Sequence, residues 1–280
     1  MNLRKKSAKG NNPVKQGKGV AATGNTFSIS DENKRNWIVG RNAVREAFRS
    51  SRRLRQLWVQ KAAHGDSLEE IITLAEQSSV PVTYVTKDIL DGLSTGVRHQ
   101  GVAVEGEPVA FQDLDVVLSH VKKTGAVPLL LLLDELQDPQ NVGALLRTAN
   151  AAGVHGVLLP YRRSCPLNSV VAKISAGAVE HVPVIQIGNI PRMLQELKKR
   201  GFWVVGADMD GHDLYFDADL SGPLVLVVGA EGKGLGRLVK ENCDFLVRIP
   251  MLGQVQSLNA SVAGGILLYD IVRQRLQKAR

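Results

Sequence analysis

Residues 134–147, DELQDPQNVGALLR, decide the fold, because strand chemistry turns into helix chemistry within them. The run just before, Leu129–Leu133, is unbroken apolar and of strand length, as a strand covered on both faces must be. Asp138 and Pro139 read as an N-cap and a first helical residue. The Asp side chain accepts from an orphan N–H, and proline lacks the donor that would go unsatisfied there. The helical period that follows predicts Val142, Leu145, Leu146 and Ala149 on the core side, with Gly153 ending the helix. Asn141 and Arg147 fall off that stripe, near the carboxyl end of a buried strand, where open α/β sheets receive ligands. Gly143, one turn below Arg147, is expected to clear room for a ligand.

Outward from this corner, apolar strands are predicted at 156–159, 182–187, 203–207, 224–228 and 245–249. Helices fall near 139–152, 167–176, 190–199 and 235–241, and a long one runs from Ser257 to the end. Strands alternating with helices predict an α/β unit over 127–280, with a mostly parallel sheet covered on both faces. A smaller α/β unit precedes it at 37–108. There Ala43, Val44, Ala47 and Phe48 mark a helix, followed by a strand at 54–59 and a helix around Leu68, Ile71, Ile72 and Ala75. A strand at 81–85, a short helix near 89–93 and a strand at 101–104 complete it. Residues 109–126 read as a linker with a connector helix at 111–124, and 1–36, rich in Lys, Gly, Asn and Ser, as a disordered tail.

At 280 residues and 44% hydrophobic content, the chain is long and apolar enough to bury a substantial core. No apolar run is long enough to span a bilayer, and no secretory h-region follows the basic start. Cys165 and Cys243 fit no metal spacing and suggest a reducing compartment, so a cytoplasmic location is expected. The net charge of +8 is uneven. Residues 1–36 hold eight Lys or Arg against Asp31 and Glu32, and residues 37–61 hold Arg41, Arg45, Arg49, Arg52, Arg53, Arg55 and Lys61 against Glu46 alone. The remainder is therefore mildly acidic. A basic front on an acidic body is the footprint of a polyanion partner; the plainer alternative is a solubilising tail with a solvated helix face.

Residues 228–236, VGAEGKGLG, form a glycine-rich loop leaving a strand. Arg237 stands where GxGxxG requires a third glycine, and Leu235 follows Gly234 where a Walker loop requires Lys, so neither nucleotide motif is present. The glycines instead suit a backbone that turns sharply or lies against a ligand, and Glu231 in their midst is placed to orient Arg147. Ser257 reads as the N-cap of the last helix, with Asn259 in its first turn, and Val262, Ile266 and Tyr269 as core. The six histidines show no paired metal spacing, and Ser164, Cys165 and Ser175 lack a nucleophile-elbow context, so neither a metal site nor a serine or cysteine nucleophile is expected. Asp208, Asp210, His212 and Asp213 read as an ordinary polar loop, and Lys173 and Glu180 as surface charges or supporting partners.

Three segments together carry a resemblance: Asn141-x-Gly143-x-x-x-Arg147, Gly229-Ala230-Glu231-Gly232, and Ile249-Pro250-Met251 through Ser257-Leu258-Asn259. In order and separation they resemble the three motifs of SpoU-type RNA 2′-O-methyltransferases of the SPOUT superfamily, most closely the bacterial 23S rRNA guanosine 2′-O-methyltransferases. Residues 40–48, GRNAVREAF, and 99–102, HQGV, extend the likeness into the first unit. The resemblance implies a SPOUT domain with a trefoil knot at its C-terminal end, preceded by an L30e/L7Ae-like RNA-binding domain bearing Arg41, Arg45, Arg49, Arg52, Arg53 and Arg55. It implies a homodimer whose active sites draw on both subunits. It also implies S-adenosylmethionine held by backbone at Gly229, Ile249 and Leu258, with Arg147, Asn141, Glu231, Ser257 and Asn259 around the target ribose. Gln256 stands where close relatives usually carry Ser, which bears on substrate detail. A tRNA-directed enzyme of the same family and a non-catalytic RNA-binding assembly factor are the competing expectations.

Overall fold

The computed structural model describes residues 36–94 and 97–279; the tail read over 1–36 lies, but for Asn36, outside the described residues. The first unit runs β1 (Trp37–Val39), α1 (Arg41–Arg49), β2 (Leu54–Gln60), α2 (Asp66–Gln77), β3 (Val82–Val85), α3 (Lys87–Leu93) and β4 (Val102–Gly106). Its sheet has the order β1-β4-β2-β3, with β4 antiparallel to β1 and β2, and β3 parallel to β2. Strand β1 was not anticipated. Its three residues are too few to show a period, yet all are buried, and the Trp37 ring lies 4.1 Å from that of Trp58.

The second unit continues with α4 (Leu114–Thr124), β5 (Leu129–Leu133), α5 (Pro139–Ala151), β6 (Gly156–Pro160), α6 (Ser169–Ile174), a 3-10 turn (Ala178–Glu180), β7 (Val184–Ile187), α7 (Ile190–Lys199) and β8 (Trp203–Ala207). Then come β9 (Asp213–Leu214), β10 (Leu224–Val228), α8 (Arg237–Lys240), β11 (Phe245–Arg248) and α9 (Ala260–Lys278). Seven strands in the order β7-β6-β5-β10-β8-β11-β9 form one parallel sheet. The neighbours β5 and β10 are buried throughout, which explains their uninterrupted Leu and Val, each stabilising by about 1.5–3 kcal/mol when fully buried. Helix α4 does more than connect, since Leu114 and Val117 pack in the core beside Leu130 and Leu158. No helix among the described residues is long and apolar enough to cross a membrane.

Helix α9 overturns one expectation. Its buried face is Gly264, Leu267, Leu268 and Ile271, while Val262 and Tyr269 are 49% and 52% exposed. Over 260–269 the helix is apolar all round but for Ser261, so its period does not select a face there. Close packing does: a Cβ on Gly264 would stand 2.5 Å from Leu145 Cδ2 of α5, so the small-residue side lies against that helix.

The two units share a seam. Ile38, Ala43 and Ala47 belong to the same buried cluster as Val171 and Val179. Within the seam Arg52 donates to Glu180 Oε1 at 2.6 Å and to the Glu107 carbonyl at 2.5 Å, and the two charged side chains are only 9% and 3% exposed. Burial pushes the Glu180 carboxyl up, against the pull of Arg52 and His181. Glu180 is thus a buried structural partner, not a surface charge. His181 Nε2 lies 2.9 Å from Glu46 Oε2. Gly177 is required here on two counts, a φ of +87° and a Cβ position 2.5 Å from Glu46 Cβ.

Candidate functional site at the carboxyl edge of the parallel sheet

The end of β5 builds one wall. Asp138 Oδ2 accepts from the Asn141 N–H at 3.0 Å, so it caps α5 as expected, with Pro139 in the first turn. Asn141, however, is buried rather than turned away from the core. Its Nδ2 donates to Glu231 Oε2 at 3.3 Å, and its Oδ1 accepts from Asn259 Nδ2 at 2.8 Å. Asn259 Nδ2 also lies 3.4 Å from Glu231 Oε2, closing a triangle between three segments far apart in the chain. Asn259, not Ser257, caps the last helix: its Oδ1 accepts from Ser261 N at 2.9 Å and Val262 N at 3.4 Å. One side chain therefore starts α9 with its oxygen and ties the triangle with its nitrogen.

Arg147 is exposed on α5 and forms no ion pair or side-chain hydrogen bond among the described residues. Glu231 faces Asn141 and Asn259 and makes no ion pair with Arg147, contrary to the orienting role expected of it. Gly143 does not clear space for a ligand either. A Cβ there would stand 2.7 Å from Ile174 Cβ and Cγ2, so its role is to seat α6 against α5.

Beside the triangle opens a cleft of about 280 Å³, lined in part by Gly229, Glu231, Ile249, Ser257 and Leu258. The glycine loop shapes its rim. Gly234 N donates to the Ala230 carbonyl at 2.8 Å, and a Cβ on Gly229 would collide with the Gly234 carbonyl, so only glycine allows the loop to fold on itself there. Asp134, buried at the end of β5, accepts from Gly236 N at 2.9 Å and anchors the loop's far end. Burial pushes its carboxyl pKa up, outweighing the Gly236 hydrogen bond. Asp208 also lines the cleft and pairs with Lys240 Nζ at 2.6 Å. Sequence reasoning passed over Asp134 and treated Asp208 as loop polarity. The available signal was position alone, since each stands one residue past an apolar strand.

The six arginines of the first unit divide sharply. Arg41 is used internally: its N–H donates to Gln100 Oε1 at 3.0 Å and its guanidinium to the Gln100 and His64 carbonyls and to Ser67. The segments GRNAVREAF and HQGV therefore clamp each other. Arg45 and Arg49 join Glu46 and Glu70 in a network. Arg52 is buried in the seam, with its guanidinium taken by Glu180 and the Glu107 carbonyl. Arg53 and Arg55 remain open, with acidic groups no nearer than 4.0 and 3.9 Å.

Residues 128–269 match the SpoU rRNA methylase family, and residues 37–112 match the RNA 2′-O ribose methyltransferase substrate-binding domain. The chain belongs to the SpoU family of RNA methyltransferases. Among curated relatives, Bacillus subtilis YacO, assigned to the TrmH family of tRNA/rRNA methyltransferases, is 44% identical over 239 residues, which is 85% of this SpoU chain and 96% of YacO. A crystal structure of an RNA 2′-O ribose methyltransferase superposes with a TM-score of 0.72 at 27% identity, covering 88% of this chain and 91% of that one. The SpoU methyltransferase AviRb of Streptomyces viridochromogenes, solved with AdoMet, shares the fold at the same TM-score and 24% identity, covering 86% and 90%. The SPOUT-type α/β fold with a substrate-binding unit in front is thus the architecture of this chain.

Proposed function

We propose that this protein methylates the 2′-hydroxyl of a ribose in RNA, using S-adenosylmethionine, and that its target is a guanosine of 23S rRNA. One observation carries the reading: the Asn141–Glu231–Asn259 triangle borders a cleft with glycine backbone at its rim and carboxylates within it. The cleft suits the cofactor chemically. Apolar Val228 and Leu267 suit a purine and a methylene chain, and Glu231 suits a cationic ligand, while Asp208 is neutralised by Lys240. Gly229, Ile249 and Leu258 would hold it by backbone. When bound, it supplies an electrophilic methyl group on a positive sulfonium.

The protein's own task is then to position the hydroxyl and manage its proton. Asn141, Asn259 and Glu231 hold one another in fixed orientation beside the cleft, with Ser257 on its wall. Arg147 is a poor base, because a guanidinium holds its proton to a pKa above about 12. Its role in this reading is to bind the target phosphate and stabilise the developing oxyanion. Exposed Arg53 and Arg55 are the first unit's candidates for contacting RNA farther out. The substrate-binding unit, fixed to the methylase unit by the buried seam, favours a large structured rRNA over tRNA.

A homodimer belongs to the same reading. Val262, Tyr269 and Leu276 are exposed and recur every seventh residue along α9, an apolar stripe that a second copy would cover. A partner's residues beside Arg147 would complete each site. A knot at the C-terminal end belongs to the same reading, and the close approach of Gly264 to Leu145 suits tight threading there. Work on ribosomal RNA fits a cytoplasmic location.

The test supplies purified protein with labelled S-adenosylmethionine and, separately, unmodified 23S rRNA and bulk tRNA, then maps alkali-resistant linkages. Transfer to one guanosine of 23S rRNA is expected. Transfer to tRNA alone would move the substrate, and none to either RNA would end the proposal.

A further inference from the structure

Strand β6 ends in Pro160, and the loop that leaves it reads Tyr161-Arg162-Arg163-Ser164. In the sheet β6 is the immediate neighbour of β5, on the side away from β10, β8 and β11, whose ends border the cofactor cleft. The loop therefore flanks the Asn141 corner opposite the cleft.

This loop is pinned from several directions. Tyr161 N donates to the Ile187 carbonyl at 2.8 Å, Cys165 N to the Leu136 carbonyl at 3.1 Å, and Ser164 Oγ to the Pro160 carbonyl at 2.5 Å. Arg163 Nη1 pairs with Glu135 Oε1 at 2.6 Å, which fastens the loop to the end of β5. Both partners of that pair are non-glycine residues in the left-handed region, with φ of 59° and 53°. Such conformations cost about 1–3 kcal/mol each and persist where the surroundings hold them.

On this fixed support two side chains are left over. Tyr161 is 64% exposed, and Arg162 is exposed with no ion pair or hydrogen bond among the described residues. Arg163 is spent on holding the loop; Tyr161 and Arg162 hold nothing. An exposed aromatic ring beside an unpaired guanidinium is the combination that recognises unpaired RNA, the ring by stacking on a base and the guanidinium by taking a phosphate.

We propose that Tyr161 and Arg162 form a platform for the single-stranded RNA segment carrying the target nucleotide, Tyr161 stacking on a base and Arg162 binding a neighbouring phosphate. This rests on the RNA reading above. The platform lies on the β6 side of Asn141 and the methyl donor's cleft on the β10 side, so the ribose between them is presented to the triangle. A base flipped out of its stack would find a replacement stack on the Tyr161 ring.

The experiment uses the full chain as Tyr161→Ala, Tyr161→Phe and Arg162→Ala, with an unmodified 23S rRNA transcript as probe. Stacking on an aromatic side chain is worth about 1–3 kcal/mol, so Tyr161→Ala is expected to weaken RNA binding and raise KM roughly ten-fold or more. Tyr161→Phe keeps the ring and is expected to restore affinity. Arg162→Ala is expected to flatten the dependence of log affinity on log salt by about one phosphate contact. Affinity for S-adenosylmethionine alone is expected to stay the same in all three. Wild-type RNA affinity in Tyr161→Ala overturns the platform while leaving the methyltransferase reading intact. Loss in Tyr161→Ala of both S-adenosylmethionine binding and the native oligomeric mass assigns the ring to a subunit contact and also overturns it. If the wild-type protein neither binds nor methylates RNA, the underlying reading falls and the platform with it.

Discussion

The seam between the two units and the carboxyl edge of the seven-stranded sheet both gather charged and amide side chains, yet they are built in opposite ways. At the seam Arg52 is buried and its carboxylate partner Glu180 is buried with it. On the helix that leaves the sheet edge Arg147 is exposed and unpartnered among the described residues, and the carboxylate Glu231 is engaged by two asparagines. A charge satisfied within the fold contributes to one fixed arrangement of units. A charge left exposed without a partner is available to a ligand. Composition counted Arg52 and Arg147 alike; burial and pairing tell them apart.

The largest expected effect breaks the seam. Removing one partner of a buried ion pair strands the other charge, at a cost of about 3–5 kcal/mol. Arg52→Ala is therefore expected to lower the unfolding free energy, read from denaturant titration, by that order, while Arg52→Met combined with Glu180→Leu, which strands no charge, recovers most of the loss. Equal destabilisation by the single and the double replacement would show that shape at the seam, rather than the charge pair, matters.

Arg147→Ala tests the other side of the comparison. An exposed side chain with no partner in the fold should contribute little to stability, so the melting temperature is expected to stay near that of the unmodified chain. A group that stabilises developing negative charge is worth about 10²–10³ in kcat, and transfer is expected to fall by that factor in single-turnover assays. If Arg147→Ala unfolds the protein, or transfers methyl groups normally, the contrast with Arg52 collapses.

The same contrast explains what could be read from the sequence. The β5–α5 corner was legible because its determinants are local: five leucines, an Asp cap and a proline within the eleven residues 129–139. Gly229, Ile249 and Leu258 meet at one cleft, yet it was their motif context rather than any period that singled them out. The cap of α9 was misassigned because Ser257 and Asn259 are both good caps, and the choice depends on where the loop from β11 arrives. Gly143 was misread for a related reason, since the neighbour it makes room for, Ile174, comes from another helix. Arg52 and Arg53 cannot be separated by inspection; a glutamate at position 180 buries one and leaves the other 82% exposed.

Gly143→Ala sharpens the account of how the sheet edge is supported. Alanine gains about 1 kcal/mol of helix propensity, and overpacking against Ile174 costs about 1–3 kcal/mol, so a net loss of stability is expected. Adding Ile174→Ala removes Cγ2 but keeps the equally close Cβ, so it should relieve part of the crowding, whereas two independent losses would summate. A Gly143→Ala protein more stable than the parent would mean that the α5–α6 contact relaxes freely and does not fix the Asn141 corner.

The smallest effect concerns Asp134, the buried acid that anchors the glycine loop. Its pKa is raised on folding, chiefly by burial, so the folded chain holds this proton more tightly than the unfolded chain does. The resulting contribution to stability is fully present below the ordinary Asp value and is lost as pH rises through the raised one. Asp134→Asn removes the charge but keeps an amide oxygen that can accept from Gly236 N. The variant is therefore expected to melt slightly above the parent at neutral pH, with the difference shrinking as pH falls through the raised pKa, where the parent's carboxyl takes up its proton. Thermal unfolding of both proteins across that range reads the effect directly. A variant that melts lower at neutral pH would show that the charged hydrogen bond to Gly236 outweighs the burial of its charge, and Asp134 would then resemble the paired groups of the seam more than the strained edge of the site.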